Sequence, residues 1–558
     1  MDNLWKNHIT RLKTGLSAQS HGSICSFLTE HTYLAGKRFN FDGHEYQRKI
    51  LEDGENDIVI LKSAQLGISE MSSRLAIAKT ALVRGFNTMY TLPSATAMQK
   101  FMKTRIDPVI SSSPYLRAIV SKDVNSSIVK QFGDSFLYGS GSSVDTQAIS
   151  VPIDLLVQDE VDNSNPNVLT LFESRLIHSK YKQIIRLSTP TIPNFGIDAF
   201  YKMSRRHMAF VKCCHCNEWF YPEYHEHVRV PGFTEDLDKL TKAHFSNPEF
   251  LWMEAAVCCP KCSKPVNLGA EHRNWVCENP NDKFVSVGYR ISPFDCPDNI
   301  TAADLVSSSV RYARRQDFAN QRLGVPLEDS ETSLSMSELQ HNIISSGPTG
   351  AYANVMGLDM GSVCYATIAT VLPDNRLIII KVEAIPMHLV IERRAQLERE
   401  YRVRMTVVDI APYGETVWRM QQESNNVFAA VYTRSKSIEL FKVRDEDENR
   451  DKAKSSIKQV NVARDRVFDL IMMLLRSGNI QKVSCDSDVT WAQHLTDQKR
   501  VREFDREELV FVWRKSSGVD HWHHSLLYTL VASRMLGVAS GCTTPLPLMS
   551  TFKVTAQS

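Results

Sequence analysis

The chain has 558 residues, which is too many for a single hydrophobic core, so we expect two to four domains. Its formal net charge of +2 neither requires nor excludes a nucleic acid partner, because a local basic surface disappears in that sum. No apolar run approaches the length of a membrane span and the first residues lack a secretory pattern, so we expect a soluble, intracellular protein. In a reducing compartment, the clustered members of its 12 cysteines are better explained as metal ligands than as disulfides.

The first segment with a functional pattern lies upstream of residue 52. Residues 1–35 have no clean period and predict a short helical arm. An aromatic residue, Tyr46, is then followed by Gln47, a pair that suits an adenine pocket with a ring to stack on and an amide to read the base edge. By itself this pattern better fits the start of an ordinary amphipathic helix.

The stretch from Ile58 to Ser69 predicts a buried parallel strand, a tight loop and a helix N-terminus. Backbone N–H groups converge in such a loop and form a cradle for phosphate. The loop departs from the usual G-x-x-x-x-G-K-[ST] signature at its opening and at Ile68, which replaces the Lys. Lys62 is then expected to fold over the phosphates, and Gly67 to let the backbone approach the anion. The Ser69 hydroxyl would ligate Mg²⁺, although a strand, turn and helix without function remain an alternative.

A second buried strand from Ile153 ends in the adjacent carboxylates Asp159 and Glu160. In a nucleotide triphosphatase one acid holds Mg²⁺ and the other polarises the attacking water, and we expect these roles for Asp159 and Glu160 respectively. Acidic pairs also occur on solvated loops, but this pair follows a phosphate loop in the expected order. The predicted nucleotide-binding residues are Gln47, Lys62, Ser63, Gly67, Ile68, Ser69 and Asp159.

The order of these elements resembles a known family. It is similar to the order of elements in the ATPase half of large terminase subunits of tailed bacteriophages. The elements that carry the resemblance are a Gln motif, a phosphate loop opening with Lys62, an Asp-Glu strand end and a Ser-Thr-Pro-Thr strand end (188–191). The lambda-type, gpA-like group is the most similar. Family loops commonly carry an Arg where Ala64 or Gln65 stands here, so the arginine finger is unassigned, and Arg105 or a neighbouring subunit could supply it.

Two C-x-x-C pairs form the most specific motif of the chain. Each pair presents two thiolates to one metal, and four thiolates make a closed tetrahedral site for structural Zn²⁺. The neighbouring Cys214 and Cys258 are not expected to be ligands, and His215 and His225 are weaker alternates. The resemblance implies a zinc-ribbon-like insertion between two enzymatic halves. The predicted zinc ligands are Cys213, Cys216, Cys259 and Cys262.

A second catalytic half begins near residue 351. Three successive strands, of which the first carries Asp359, predict the opening of an RNase H-type fold, and a fourth strand ends in Asp409. The first and fourth strands of that fold are neighbours, so both acids are expected to bind shared metals. On a late helix, Asp520 and His524 lie on one face. Many terminase nucleases carry Asp where His524 falls, so Asp520, His524 or both would complete a site for two Mg²⁺ or Mn²⁺ ions.

We therefore expect an α/β protein with a P-loop (RecA/ASCE-like) ATPase domain, an RNase H-like nuclease domain and a zinc-ribbon-like insertion. The expected segments are an N-terminal arm (1–35), the ATPase domain (36–205), the zinc-binding insertion (206–282), a connector (283–350), the nuclease domain (351–540) and a C-terminal tail (541–558). The predicted catalytic residues are Glu160, Asp359, Asp409, Asp520 and His524. The predicted ligands of Mg²⁺ or Mn²⁺ are Ser69, Asp159, Asp359, Asp409, Asp520 and His524.

The expected function is a viral DNA-packaging motor that couples ATP hydrolysis to translocation of double-stranded DNA and cuts concatemers. The resemblance implies a small terminase subunit, a portal and procapsid, and a homo-oligomeric ring on that portal as partners, in the host cell cytoplasm. The charged stretch 434–458 is expected to be a solvated loop or to face DNA. Two alternatives stay open: a helicase or translocase fused to a nuclease of a defence or repair system, and a zinc-dependent DNA-binding scaffold with degenerate sites.

Overall fold

The computed structural model describes residues 23–143, 151–328, 333–433, 440–443, 457–505, 508–516 and 518–539. The predicted arm up to residue 22, most of the charged stretch 434–458 and the predicted tail lie outside the described residues. The chain forms two compact units, one of Met1–Asp329 with Val501–Phe511 and one of Ser330–Arg500 with Val512–Ser558. No helix in the described part of the chain combines the length and the apolar character needed to cross a bilayer.

The first unit is an α/β structure. Its strands are β1 (Tyr33–Leu34), β2 (Lys37–Arg38), β3 (Asp57–Lys62), β4 (Thr88–Leu92), β5 (Val120–Asn125), β6 (Val129–Phe132), β7 (Ser135–Gly141), β8 (Leu155–Asp159), β9 (Gln183–Ser188), β10 (Arg205–Lys212), β11 (Trp219–Phe220), β12 (Val228–Arg229), β13 (Ala256–Val257), β14 (Arg273–Cys277) and β15 (Val287–Ile291). Its α-helices are α1 (Ile24–His31), α2 (Glu45–Glu52), α3 (Ile68–Leu82), α4 (Ala95–Phe101), α5 (Asp107–Ser112), α6 (Pro114–Ile119), α7 (Pro166–Glu173), α8 (Gly196–Lys202), α9 (Tyr224–His227), α10 (Ala302–Ser309) and α11 (Arg315–Phe318).

One large sheet organises this unit, in the order β11-β10-β15-β3-β9-β8-β4-β7-β6-β5, with β14 paired to β10. The strands from β10 to β7 run parallel. Helices cover both faces of such a sheet, which explains why β3 and β8 are buried along almost their whole length. The segment predicted as a connector supplies β15, which lies between β10 and β3.

The sheet brings the two predicted nucleotide-binding segments to one edge. Leu61 of β3 is opposite Ser188 of β9, and Asp159 of β8 is opposite Leu187 of β9. Lys62, Asp159 and Ser188 therefore all end parallel neighbouring strands at the carboxyl edge. This edge is where ligands bind in open α/β sheets.

The second unit is also α/β. Its strands are β16 (Ile343–Ile344), β17 (Ala353–Asp359), β18 (Val363–Val371), β19 (Leu377–Pro386), β20 (Val403–Asp409), β21 (Val427–Tyr432), β22 (Phe441–Val443), β23 (Gln459–Val462) and β24 (Ile480–Val483). The hairpin strands β25 (Gln498–Asp505) and β26 (Glu508–Lys515) follow in the chain, and most of this hairpin is grouped with the first unit. The helices are α12 (Met336–Gln340), α13 (Val390–Glu400), α14 (Gly414–Glu423), α15 (Arg464–Arg476), α16 (Asp488–Thr496) and α17 (His521–Ala539).

The sheet of this unit has the order β16-β24-β19-β18-β17-β20-β21-β23-β22. Strands β17 to β19 form an antiparallel meander, whereas β20 pairs in parallel with both β17 and β21. This is the arrangement expected of an RNase H-like sheet, and the predicted fold class is confirmed. Leu358 of β17 is opposite Val408 of β20, so Asp359 and Asp409 end neighbouring strands side by side.

Helix α17 packs directly on β17 because the strand has a glycine at the crossing. A Cβ atom on Gly357 would lie 2.2 Å from the Ser525 carbonyl oxygen and 2.3 Å from the Thr529 amide nitrogen. The Ser525 hydroxyl donates to the Gly357 carbonyl at 3.1 Å. This close approach places the first turn of α17, with its polar residues, beside the end of β17.

Candidate active sites and thiol cluster

The phosphate loop begins with a buried lysine. Lys62 is 5% exposed, and its Nζ lies 3.8 Å from Glu160 Oε1. The next backbone N–H groups are already used, since Ser63 donates to the Ile291 carbonyl at 3.1 Å and Ala64 to the Gln321 carbonyl at 2.8 Å. The Ser63 hydroxyl is buried without a hydrogen-bond partner within the described structure. The opening of the loop is thus fixed by its neighbours, and the N–H groups nearer α3 are left to face an anion.

The end of the phosphate loop requires a residue with left-handed backbone conformation. Gly67 precedes α3 with φ of 70°, and a Cβ atom there would lie 2.7 Å from Nε2 of Gln47. Gln47 is 3% exposed and donates to the Leu66 carbonyl at 3.3 Å, and the Tyr46 hydroxyl donates to the same oxygen at 2.6 Å. In this structure Gln47 therefore contacts the loop. Ile68, at the usual Lys position, is 1% exposed and anchors α3 in the core.

Asp159 is buried at the end of β8. Its Oδ2 accepts the Tyr90 hydroxyl at 2.7 Å, and its Oδ1 accepts the Glu160 backbone N–H at 2.9 Å. Burial raises the pKa of Asp159 to about 6 and the Glu160 charge adds to this, whereas Lys62, Tyr90 and the Ser69 hydroxyl oppose the shift. The Ser69 hydroxyl and the Asp159 carboxylate form an oxygen donor set that fits Mg²⁺. Sequence reasoning missed Tyr90, which reaches Asp159 from the neighbouring strand β4.

Glu160 has an unusual backbone conformation. Its φ of 57° and ψ of 49° lie in the left-handed region, which non-glycine residues seldom adopt and which often marks functional sites. Asn163 Nδ2 donates to Glu160 Oε2 at 3.2 Å. The second carboxylate oxygen faces Lys62, so the acid is held between a cation and an amide.

Arg105 lies in a π-helical turn, Met102–Ile106, near the start of α3. Its Nη1 is 2.7 Å from Glu70 Oε2, and the buried Arg74 contacts the other oxygen at 2.8 Å. Half of the Arg105 side chain is exposed. An assignment of Arg105 as the arginine finger remains a prediction.

The four predicted zinc ligands meet at one point. Cys213 Sγ lies 3.7 Å from Cys262 Sγ, and Cys216 Sγ lies 3.6 Å from Cys259 Sγ. A tetrahedral Zn²⁺ with Zn–S bonds of about 2.3 Å requires sulfur atoms about 3.8 Å apart, so these residues fit the ion. All four sulfur atoms lie within 4.8 Å of one another.

The two cysteine pairs form matching turns. Asn217 and Ser263, which follow the second cysteine of each pair, have φ of 61° and 58°. Their N–H groups donate to the carbonyls of Cys213 and Cys259 at 3.0 and 2.9 Å. The first turn begins directly after β10, so the cluster is attached to the large sheet.

The alternative zinc ligands lie elsewhere. Cys214 is exposed, and a ring nitrogen of His215 is 3.2 Å from the Pro265 carbonyl. Within the described residues one further group of three possible metal ligands exists, formed by His225, Asp236 and Asp238. It is exposed, and Arg315 already pairs with Asp238.

The predicted nuclease acids lie beside each other at the ends of β17 and β20. Asp359 is 7% exposed, and one of its oxygens is 2.9 Å from Nδ1 of His521. Burial raises the pKa of Asp409 to about 6, and the charge of Asp359 contributes in the same direction. The pairing of β17 with β20 places both acids at the same edge of the sheet. In the described part of the chain, no third His, Cys, Asp or Glu joins Asp359 and Asp409 in a group whose ligand atoms all lie within 4.8 Å of one another.

Asp520 and His524 are in direct contact. His524 Nε2 lies 3.2 Å from Asp520 Oδ2, and its Nδ1 lies 2.6 Å from the Tyr432 hydroxyl. Gln498 donates to the same Asp520 oxygen at 2.6 Å. Burial acts to raise the pKa of Asp520, but the hydrogen bond and charge of His524, together with the charges of Lys515 and His521, outweigh it and the pKa falls to about 2. Both nitrogens of His524 therefore already have partners.

His521 was missed in the sequence although it neighbours Asp520. Its ring stacks on Tyr365 with centroids 4.8 Å apart and an angle of 8° between the planes. The hydrogen bond with Asp359 raises the pKa of His521. Three histidines lie within the four residues after Asp520. Only the orientation of α17 about its own axis, as it packs on β17, determines which of them contacts Asp359.

The parallel sheet, with a phosphate loop after β3 and an acidic pair after β8, defines a P-loop type ATPase unit. Residues 44–277 match the family model described as phage terminase large subunit gpA, ATPase domain. This part of the chain is therefore similar to that family of ATPase domains. The predicted recognition of a lambda-type terminase large subunit is confirmed.

Among solved structures, the chain is similar to the large terminase of bacteriophage HK97, at 11% identity over 91% of this chain and 98% of that chain, with a TM-score of 0.46. The large terminase of a thermophilic bacteriophage, in complex with ADP, is 11% identical over 86% and 94% of the two chains, with a TM-score of 0.30. The large terminase nuclease domain of Thermus phage P74-26 is 14% identical over 35% and 92%, with a TM-score of 0.24. No curated protein matches the sequence.

Proposed function

We propose that this protein is the motor subunit that packages viral DNA, with an ATPase unit that drives translocation and a nuclease unit that cuts the concatemer. The observation that carries the proposal is the cluster of Lys62, Asp159 and Glu160 at the carboxyl edge of a sheet within the matched terminase segment. The parallel pair of acid-bearing strands in the second unit supports the cutting activity.

The residues of the ATPase site have distinct roles in the proposed reaction. Lys62 binds the β- and γ-phosphates, and the N–H groups at the start of α3 complete the cradle. Glu160 orients the attacking water and receives its proton. Ser69 and Asp159 would hold Mg²⁺, which would supply positive charge to offset the charge that develops on the phosphates. Tyr90 fixes the orientation of the Asp159 carboxylate through its hydroxyl.

The second unit has the residues required for phosphodiester cleavage. Asp359 and Asp409 supply oxygen ligands from adjacent strand ends, and Asp520 immediately precedes the helix that crosses β17. Two Mg²⁺ or Mn²⁺ ions bound there would activate water and stabilise the leaving 3′-oxygen. His521 orients Asp359, and His524 orients Asp520.

The thiol cluster has a structural role. Four thiolates occupy every position of a tetrahedral Zn²⁺, so no site is left for a substrate. A Zn²⁺ ion held by these thiolates would join the turn after β10 to the Cys259 pair, two segments that are separated by more than forty residues. We assign it to folding of the insertion.

The proposed partners follow from the motor function. Double-stranded DNA would be held through its phosphates and hence with little sequence preference. A small terminase subunit would deliver the DNA, and a homo-oligomeric ring would act on the portal of a procapsid in the host cytoplasm. The nucleotide hydrolysed would be ATP.

Separate loss of the two activities tests the proposal. Glu160→Ala should abolish DNA-dependent ATP hydrolysis and leave Mn²⁺-dependent plasmid cleavage, whereas Asp359→Ala should have the reverse effect. Exposed acids of the same units, Glu235→Ala and Asp374→Ala, are the matched controls and should retain both activities. Absence of ATP hydrolysis in the wild-type chain with double-stranded DNA would refute the motor.

A further inference from the structure

The strongest unassigned feature is a buried carboxylate beside the catalytic turn. Asp162 lies two residues after Glu160 and is 1% exposed. Its Oδ2 accepts the backbone N–H and the hydroxyl of Thr191, both at 2.8 Å, and its Oδ1 accepts the Ile197 N–H at 2.7 Å. Its own N–H donates to the Ser188 hydroxyl at 3.3 Å. One residue thus joins the turn after β8 to three points of the segment after β9.

The receiving segment is shaped for this carboxylate. Gly196 has φ of 52°, and a Cβ atom there would lie 2.3 Å from Asp162 Oδ1 and 2.6 Å from its Cγ. A side chain at this position would displace the carboxylate, and its backbone conformation would also be strained. Both partners of the contact are therefore specified, which is unusual for a simple loop contact.

The contact acts on the residue that orients water. Glu160 is held in the left-handed region, and Asn163, on the other side of Asp162, donates to its carboxylate at 3.2 Å. Because Asp162 lies between these two residues, its position determines where both the backbone and the side chain of Glu160 can lie. A shift of the segment 188–197 would move Asp162. Because Asp162 is only two residues from Glu160 along the chain, the shift would also reach the catalytic carboxylate.

The other end of the segment leads away from the nucleotide. Ile197 lies in the first turn of α8, which is followed by β10 and then by Cys213. The structure thus provides a continuous connection from the catalytic turn to the strand that carries the first cysteine turn. Such a connection can report the state of the nucleotide if its two ends move together.

We propose, on the basis of the ATP-driven function above, that Asp162 is the positioning residue that couples Glu160 to the segment 188–197. It sets the Glu160 carboxylate for the attack of water and passes the change at the γ-phosphate to Thr191 and α8. Nucleotide affinity resides in Lys62 and the phosphate loop and does not depend on this contact.

Steady-state ATP hydrolysis separates coupling from binding. In Asp162→Asn an amide group faces backbone N–H donors, and we expect kcat to fall at least tenfold while KM for ATP changes less than twofold. Thr191→Val, which loses one of the hydrogen bonds, should give a smaller fall in kcat, and Thr191→Ser should restore the wild-type value. An unchanged kcat in Asp162→Asn would overturn the proposal.

Asp198 provides the matched control. It is also a buried aspartate, 4% exposed, and directly follows this segment, but its carboxylate accepts the Asn194 N–H and pairs with Lys202, both of which lie outside the catalytic turn. Asp198→Asn should therefore keep kcat even where it lowers Tm. An equal loss of kcat in both variants would show that Asp162 has only a structural role.

Hydrogen–deuterium exchange of the wild-type chain gives a second, independent measurement. Addition of a non-hydrolysable ATP analogue should change protection in peptides covering 160–164 and 188–197 together. In Asp162→Asn the analogue should still protect the phosphate loop, but the change in 188–197 should be lost. Independent responses of the two peptides in the wild type would refute the coupling and leave the ATPase assignment intact. A wild-type chain that neither binds nor hydrolyses ATP would instead refute the proposed function and this inference with it.

Discussion

Lys62 Nζ and Glu160 Oε1 lie 3.8 Å apart, although the two residues follow strands that are separated in the sheet by β9. The lysine is buried and the glutamate is one-third exposed. The acid thus compensates the charge of the buried cation. A bound triphosphate would compete for Lys62 and release Glu160 toward water.

Glu160→Gln should separate nucleotide binding from hydrolysis. The amide keeps the shape of the side chain but cannot accept a proton, so we expect kcat to fall by about 100-fold or more. Because the charge that competes for Lys62 is removed, ATP affinity should stay equal or increase. Measurement of ATP affinity by fluorescence titration and of phosphate release on the same samples checks both parts. Weaker ATP binding in Glu160→Gln would contradict the role of the ion pair.

Gly67→Ala should impair nucleotide binding. The new Cβ would meet Nε2 of Gln47 at 2.7 Å and the residue would have to adopt φ near 70°, so the loop must shift away from its anion-binding shape. Gly85→Ala is the matched control, because Gly85 has φ of 69° but nothing within 4 Å of the new atom. We expect at least a tenfold weaker ATP affinity in the first variant and an unchanged affinity in the second, with similar losses of Tm. Equal affinities would show that the loop tolerates the displacement of Gln47.

Part of this arrangement could be predicted from the sequence because local patterns identify the strands and the polar residues that end them. The apolar runs before Lys62 and Asp159 identify parallel strands whose carboxyl ends share one edge. The succession of strands bearing Asp359 and Asp409 likewise predicts an RNase H-like order, in which those strands pair.

The remaining features depend on contacts between residues distant in sequence. The pattern of Val287–Ile291 shows a strand but not that it lies between β10 and β3. The direction of the Gln47 amide, toward the Leu66 carbonyl, depends on how α2 packs on the loop. Tyr90 reaches Asp159 across adjacent strands, and His521 reaches Asp359 only through the close packing of α17 on β17. No local periodicity specifies such contacts.

Removal of zinc should affect the insertion first. Cys213→Ser and Cys259→Ser should each lower bound Zn²⁺ from about one ion per chain to near zero, because three thiolates cannot close the tetrahedron. The exposed neighbour Cys214→Ser is the matched control and should retain the ion. Elemental analysis gives the zinc content, and limited proteolysis should show new cleavage within 206–282 in the first two variants. Zinc retained in Cys259→Ser would point to a different ligand set.

The stability of the ATPase unit should depend on the ionisation of Asp162. Burial raises the pKa of Asp162 from 3.8 to about 7, against the opposing hydrogen bonds from Ile197 and Thr191. Between these two pH values the unfolded carboxyl is ionised while the folded one keeps its proton, so stability falls as pH rises, by up to about 1.4 kcal/mol per pH unit. Above pH 7 this contribution is constant.

Substitutions that cannot ionise should remove this dependence. The Tm of Asp162→Asn relative to the wild type should therefore improve between pH 5 and pH 7 and then level off. Asp162→Ala should show the same pH profile with a different offset, since it also lacks the titrating group. A Tm difference independent of pH, measured by scanning calorimetry, would contradict the raised pKa.

Substitutions in the nuclease unit should distinguish metal ligands from residues that orient those ligands. Asp359→Asn and Asp409→Asn each remove a carboxylate from the paired strand ends, and we expect loss of Mn²⁺ binding and of plasmid cleavage with unchanged ATP hydrolysis. His524 already contacts Asp520 and Tyr432 through its two nitrogens, so we expect it to orient Asp520. Loss of an orienting partner costs about 10–100-fold in metal affinity or activity.

His524→Ala should therefore weaken Mn²⁺ binding by that factor without abolishing it, whereas Asp520→Asn should have the larger effect. The exposed His388→Ala is the matched control of the same unit and should bind Mn²⁺ as the wild type does. Isothermal titration with Mn²⁺ measures the affinities, and plasmid cleavage on the same samples measures activity. If His524→Ala loses Mn²⁺ as completely as Asp359→Asn, the imidazole is itself a ligand, and binding of the metal must then displace it from Asp520 or from Tyr432.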